Sequence, residues 1–308
     1  MVLRRVLSVL LSITLLVSTM GMAAAAVPDT VQAKLASVER DTYGAEQTGA
    51  VMDRINKLEK EFNGQNNTGS MMARIDALYD QLHTNAGGPS EMAKLNAIEW
   101  TVQHSVSMTP LQERISDLEM SLRGKTGEGT LSERISALSE DAFGTNTFPM
   151  MEVSVPANTL VKVALADPVN AKNLKVGDKI RYQVADDVVV DGVLLFAKGE
   201  PGEGTVMKVQ QAQNFGRNAE VNIEFEKTKS IDGTDIDTFV GDKAKEETKS
   251  MAMAAGASIA GMVLLGPIGI VAGAFVKGQN IDLPVGTELY IQTKNDEMLY
   301  GVQTTLQQ

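Results

Sequence analysis

The chain has 308 residues, a formal net charge of -11, 43% hydrophobic residues and no cysteine. The missing thiols exclude a disulfide framework, a lipidated cysteine, thiolate metal sites and a cysteine nucleophile. The acidic balance argues against nucleic acid and against simple adsorption to anionic lipid, and the length suits two domains of ~100–200 residues each.

Residues 1–26 read as a secretory signal peptide. Arg4-Arg5 supplies the charged start, Val6 to Val17 the short apolar core, and Met22-Ala23-Ala24-Ala25-Ala26 the small-residue end. The apolar run falls short of the ~20 residues a bilayer span needs. We place cleavage after Ala26, with an uncleaved N-terminal anchor as the other reading. An exported chain without cysteine fits a bacterial envelope better than a disulfide-rich eukaryotic exterior.

Six copies of one pattern fill residues 27–146 at a spacing of 20. A basic residue recurs at Lys34, Arg54, Arg74, Lys94, Arg114 and Arg134. One aliphatic follows it directly and another comes three residues later. In the third copy Met71, Ile75, Leu78 and Leu82 form a stripe behind Ser70 as N-cap. In the fifth the stripe is Leu111, Ile115, Leu118 and Leu122. The sixth adds a capping box at Thr130 and Glu133. This spacing predicts about three helical turns per copy, and the glycine-rich connectors stop each helix before the next.

Helices so short need their stripe covered. A compact bundle would cover it within the chain; a parallel oligomer would cover it between chains in a staggered rod. The narrow seam favours the oligomer. The fourth copy departs from the pattern, with Glu91 at the first stripe position and Trp100 and His104 nearby. It reads as local repacking of a degenerate copy rather than as a contact site. The motif Lys34-Leu35-Ala36-Ser37-Val38-Glu39 with Tyr43-Gly44, repeated as Arg54 to Glu59 with Phe62 and Gly64, resembles short helical repeats of envelope proteins in diderm bacteria.

From Phe148-Pro149 the period shortens. Met151–Val155, Leu160–Ala166, Lys179–Val184, Val188–Val190, Gly192–Phe196, Gly204–Val209, Ala219–Phe225, Ile281–Leu283 and Glu288–Thr293 read as strands between tight turns. They predict a small β-barrel or sandwich over residues 149–308, too short in strand length for an outer-membrane barrel. Val155-Pro156-Ala157-Asn158-Thr159, Val176-Gly177-Asp178, Lys198-Gly199-Glu200, Phe215-Gly216-Arg217 and Leu283-Pro284-Val285-Gly286-Thr287 resemble the β-domain of the outer-membrane-channel subunit of type IV secretion systems. In that family a helical hairpin inserted in the β-domain enters the outer membrane. The family's cytoplasmic start, inner-membrane helix and proline-rich arm have no counterpart here, which puts the transport role in doubt.

Met251 to Val276 carries no charge and holds Gly256, Gly261, Gly266, Pro267, Gly269 and Gly273. We read residues 244–278 as an apolar glycine-rich helical hairpin turning at Gly266-Pro267, which keeps both flanking strands on one side. Small residues four apart let helices approach closely in lipid. The hairpin either meets the membrane through residues 251–276 or lies buried against the β-domain.

No phosphate loop, nucleophile elbow or zinc spacing is present, and His83 and His104 read as solvent-exposed. Asp232, Asp235 and Asp237 offer a weak calcium option without EF-hand spacing. The fold class is thus α+β in two parts, and no cofactor is expected. The functional expectation is a non-enzymatic periplasmic spacer, tether or assembly component at the outer membrane of a diderm bacterium. It would form homo-oligomers and contact other envelope proteins or the cell wall. Alternatives are a subunit of an envelope-spanning transport or secretion complex, and a soluble periplasmic binding module.

Overall fold

The computed structural model describes residues 30–145, 147–211, 219–254 and 281–304. The signal segment, Phe215-Gly216-Arg217 and the glycine-rich run through Gly256, Gly261, Gly266, Pro267, Gly269 and Gly273 lie outside the described residues.

Each repeat forms one 13-residue helix: α1 Val31–Tyr43, α2 Val51–Asn63, α3 Met71–His83, α4 Glu91–Gln103, α5 Leu111–Arg123 and α6 Leu131–Phe143. Thr30, Ser70, Ser90 and Thr130 cap N-termini through their hydroxyls, and Thr130 with Glu133 makes the full capping box. Gly44, Gly64, Gly124 and Gly144 end helices in the left-handed conformation.

The basic residue and the glutamate of the motif join one repeat to the next. Arg54 donates to Glu39, Arg74 to Glu59, Arg114 to Glu99 and Arg134 to Glu119, with Nε–Oε distances of 2.7, 3.0, 2.8 and 2.9 Å. The same carboxylates accept the connector amides of Gln47, Asn67, Ser107 and Gly127. Each glutamate therefore pins both the loop that follows it and the next helix. Its burial is tolerable because its oxygens receive charged and backbone donors together.

The ladder breaks once. Tyr79 stands where a glutamate is due, Lys94 replaces the arginine, and Lys94 turns instead to Glu91 at 3.0 Å. The connector after α3 also lacks the left-handed cap, since Thr84 is extended. The six helices consequently form two triplets, with α1 packed on α3 and α4 on α6. Contacts of α1 with α5 and of α2 with α6 join the triplets over one core that includes Leu35, Ile55, Leu78, Ile98, Ile115 and Ile135. Each such leucine or isoleucine contributes ~1.5–3 kcal/mol on full burial.

This corrects the expectation of a staggered rod: the stripe is covered within one chain, because the triplets offer their seams to each other. Ile75, Leu78, Leu82, Leu111, Ile115 and Leu118 are buried as expected. Met71 and Leu122 are not, at 45% and 37% exposed.

The strands are β1 Met150–Val155, β2 Leu160–Leu165, β3 Val169–Asn170, β4 Lys179–Val184, β5 Val188–Val190, β6 Val193–Phe196, β7 Pro201–Gln210, β8 Glu220–Lys229, β9 Asp235–Phe239, β10 Asp282–Leu283, β11 Glu288–Thr293 and β12 Glu297–Gln303. The order β11-β2-β4-β7-β8-β9 closes into a barrel, while β1-β12-β6-β5 form a separate sheet and β10 pairs with β3. Burial alternates along β2, β4 and β8, so every second residue fills the barrel. Tyr182 and Phe225 meet inside it with ring centroids 4.9 Å apart, and the Tyr182 hydroxyl donates to the Lys227 carbonyl. A helix α7, Asp242–Ala254, lies on β11 through Ala244 and Thr248, whose hydroxyl accepts the Tyr290 amide. Its first half is the polar lead-in to the proposed hairpin. Among the described residues no helix is long and apolar enough to cross a membrane.

Candidate functional site

The two parts meet at α4. Its degenerate sequence supplies the small buried residues Ala93 and Ala97 and the single tryptophan. Ala97, Trp100 and Val106 pack with Leu194, Ala197, Ile231 and Val302 in a core of their own. The fourth copy is therefore the contact site, contrary to the reading of it as local repacking. It keeps Leu95 and Ile98 in the helical core and turns Ala97 and Trp100 to the β-domain.

Polar groups fix the register of this contact. Asn96 Nδ2 donates to Glu200 Oε1 at 3.2 Å and to the Ile231 carbonyl at 3.0 Å, while its Oδ1 accepts from Arg114 at 2.7 Å. Trp100 Nε1 donates to Asp187 at 2.8 Å. The Val106 amide donates to the Lys198 carbonyl at 2.7 Å. Beside that bond sits Gly199 with φ +95°, where an added Cβ would stand 2.0 Å from the Val106 oxygen. Only glycine allows so close an approach of two backbones. From the irregular connector after α3, Asn85 reaches the Asp232 carbonyl.

Between the parts lies a cavity of about 440 Å³. The helical side contributes Asp41 and His83, the barrel side Glu200 and Lys229, and Met92 and Met108 form apolar wall. An open groove along the barrel surface adjoins it at Met108, Pro201 and Lys229.

The cavity's ionisable groups are strongly displaced. Glu200 is 2% exposed, and burial pushes its carboxyl up to about 8 against partial relief from Arg114 and Lys229. Burial and the Lys229 charge pull His83 down to about 3, so it is a neutral imidazole. Its Nε2 lies 3.3 Å from Asp41 Oδ2, yet makes no hydrogen bond. Burial also raises Asp41. For Lys229 burial works downward, but Asp235 and the more distant acids outweigh it and the amine stays charged.

His83 is thus largely enclosed rather than solvent-exposed. The calcium option also fails. Asp232 Oδ1 accepts from Ser230 Oγ and the Thr234 amide, and Oδ2 from the Tyr300 amide, which consumes it as a turn anchor. Asp235 is paired with Lys229 at 2.8 Å and Asp237 sits two residues along β9. Among the described residues no group of three or more histidines and acids is placed to hold a metal ion.

Glu200 and Asn96 were not singled out as site residues by sequence reasoning, which read His83 as solvent-exposed. Glu200 enters the sequence reading only within Lys198-Gly199-Glu200, one segment of the β-domain resemblance. The one signal that pointed here was the degeneracy of the fourth repeat.

No family model matches this chain, and no curated protein matches it. Among solved structures it is similar to ComB10 of the Com type IV secretion system of Helicobacter pylori. The identity is 15%, over 48% of this chain and 95% of that one, with a TM-score of 0.27. No residue role is carried across from so loose an overlay.

Proposed function

We propose that this protein is a non-enzymatic, exported component of a bacterial cell envelope, a spacer, tether or assembly element. The observation that carries the reading is where the buried charge goes. Glu39, Glu59, Glu99 and Glu119 hold repeats and connectors together, and the fourth repeat joins the array to the barrel. That is the arrangement of a stiff two-part body whose job is to hold position. Export rests on Arg4-Arg5, the apolar run and the alanine end of the first 26 residues; membrane association rests on the uncharged run from Met251 to Val276. Copies of the chain and other envelope proteins or the cell wall are the proposed partners.

Carbonate extraction of envelope fractions tests this, comparing the full protein with a version lacking residues 251–276. Retention of the full protein with release on deletion supports membrane association, and a ring-shaped oligomer in detergent would move the role to a transport subunit. Release of both versions as intact soluble protein overturns the tether. A second reading, a soluble periplasmic binding module, is favoured by the cavity at the junction, which has the position of a ligand site between two parts of a protein.

A further inference from the structure

The cations around the junction cavity are already committed. Arg114 is bound by Glu99 at 2.8 Å, Lys229 by Asp235 at 2.8 Å, and Arg40 by Glu46 at 2.6 Å. The acids are not. Neither Asp41 nor Glu200 has a lysine or arginine ion-pair partner among the described residues; Glu200 accepts from the Asn96 amide and Asp41 from Ser37 Oγ at 3.5 Å. His83 also lines this space, with its Nε2 closed off beneath the surface and without a hydrogen-bond partner. Buried polar groups are ordinarily satisfied, so the buried Glu200 carboxyl, with the part-exposed Asp41 on the same cavity, forms an incomplete set. What they lack is a donor carrying positive charge. Met92, Met108, Pro110 and Pro201 add walls suited to methylene groups.

We propose that this cavity binds an organic cation, a primary ammonium group on a short aliphatic chain, with Glu200 and Asp41 as its carboxylate partners. The inference names the ligand class of the binding-module reading and rests on it. The same chemistry comes either from a free amine or from a lysine side chain of a partner protein. Glu99, Asp232, Asp235, Arg114, Lys229 and Arg40 complete the charged surroundings, and each keeps its present partner. Because burial favours the protonated form of Glu200, seating an ammonium beside it ionises the carboxyl and releases its proton to solvent.

Isothermal titration of the full protein at pH 7 tests this with 1,5-diaminopentane, pentane-1,5-diol and glutarate, in two buffers of different ionisation enthalpy. The expected result is saturable binding of the diamine alone, with proton release approaching one per site. Glu200→Gln abolishes the proton release, and Glu200→Gln and Asp41→Asn each weaken binding about ten-fold or more, as loss of a charge-assisted hydrogen bond implies. Circular dichroism confirms that both variants fold. A second arm titrates a tripeptide acetyl-Gly-Lys-Gly-amide: tighter binding than the diamine assigns the site to a partner's lysine, weaker binding to a free amine. The proposal is overturned if neither amine binds saturably, if glutarate binds instead, or if both variants bind unchanged. Membrane fractionation reads the tether separately, so failure of one test leaves the other standing.

Discussion

Burial favours the neutral form of the Glu200 carboxyl, and this makes the junction sensitive to pH. Its ordinary value of 4.5 is raised to about 8 by burial. Between those values the folded protein holds a proton that the unfolded chain does not. The stability it contributes is full below 4.5 and lost as pH rises through 8. His83 works the other way: lowered from 6.5 to about 3, it favours the fold above 6.5 and loses that contribution as pH falls towards 3. From pH 6.5 to 8 the Glu200 effect therefore stands alone of the two. The denaturation midpoint is expected to fall across that window, and Glu200→Gln to flatten the profile while keeping a partner for Asn96. A wild-type midpoint that rises with pH there would contradict it. Gly199 makes a steric version of the same point. Gly199→Val places branched carbon against the Val106 oxygen at a φ of +95°, so the junction is expected to part there. Faster hydrogen exchange at the Val106 amide, which now donates to Lys198, is the measurement that checks it.

Among the helices, strength resides in the arginine–glutamate ladder rather than in charge as such. Glu99 is 2% exposed and depends on Arg114. Arg114→Ala leaves a buried carboxylate without its cation and strips Asn96 of one partner, at an expected cost of ~3–5 kcal/mol in chemical denaturation. Lys34, at the equivalent position of the first repeat, pairs with the part-exposed Asp76 and lies over the Tyr79 ring, and Lys34→Ala should cost about 1 kcal/mol or less. Equal losses for the two variants would mean that the repeats are held by their apolar stripe alone. At low pH the ladder fails in its own direction. For Glu59 and Glu119 burial works upward, but hydrogen bonds from Arg74 or Arg134 and from a connector amide outweigh it and hold them below the usual carboxylate range. Their contribution is present above 4.5 and disappears as pH falls through the lowered values.

Taken together, the array and the barrel are expected to unfold as one body. The sole tryptophan sits in the shared core with its Nε1 bonded to Asp187, so its emission reports on the junction, while far-ultraviolet circular dichroism follows the helices. The two transitions should superimpose in urea, the signature of a cooperative unit. A tryptophan transition that precedes helix loss would show that the parts separate first. Trp100→Ala empties the centre of that core and should cost ~3–5 kcal/mol, a large share of the stability of most domains.

Repeat length, helix position and much of the strand pattern were legible in the linear chain because they follow from local chemistry: a stripe period, a capping hydroxyl, a glycine able to take positive φ. The strands β3, β9 and β12 were missed, being short or lacking clear alternation, and they form only because partners such as β10, β8 and β1 stand beside them. A stripe states that something must cover it, but not what. The choice of an internal bundle over a rod depended on a broken ladder at Tyr79 and Lys94, whose meaning appears only once the triplets are folded together. The junction was least visible of all. Asn96 and Glu200 are 104 residues apart, and nothing local to either marks it as the other's partner. Local physics determined the elements; long-range burial decided which acid lost its water, which histidine lost its proton, and where the two parts left a cavity between them.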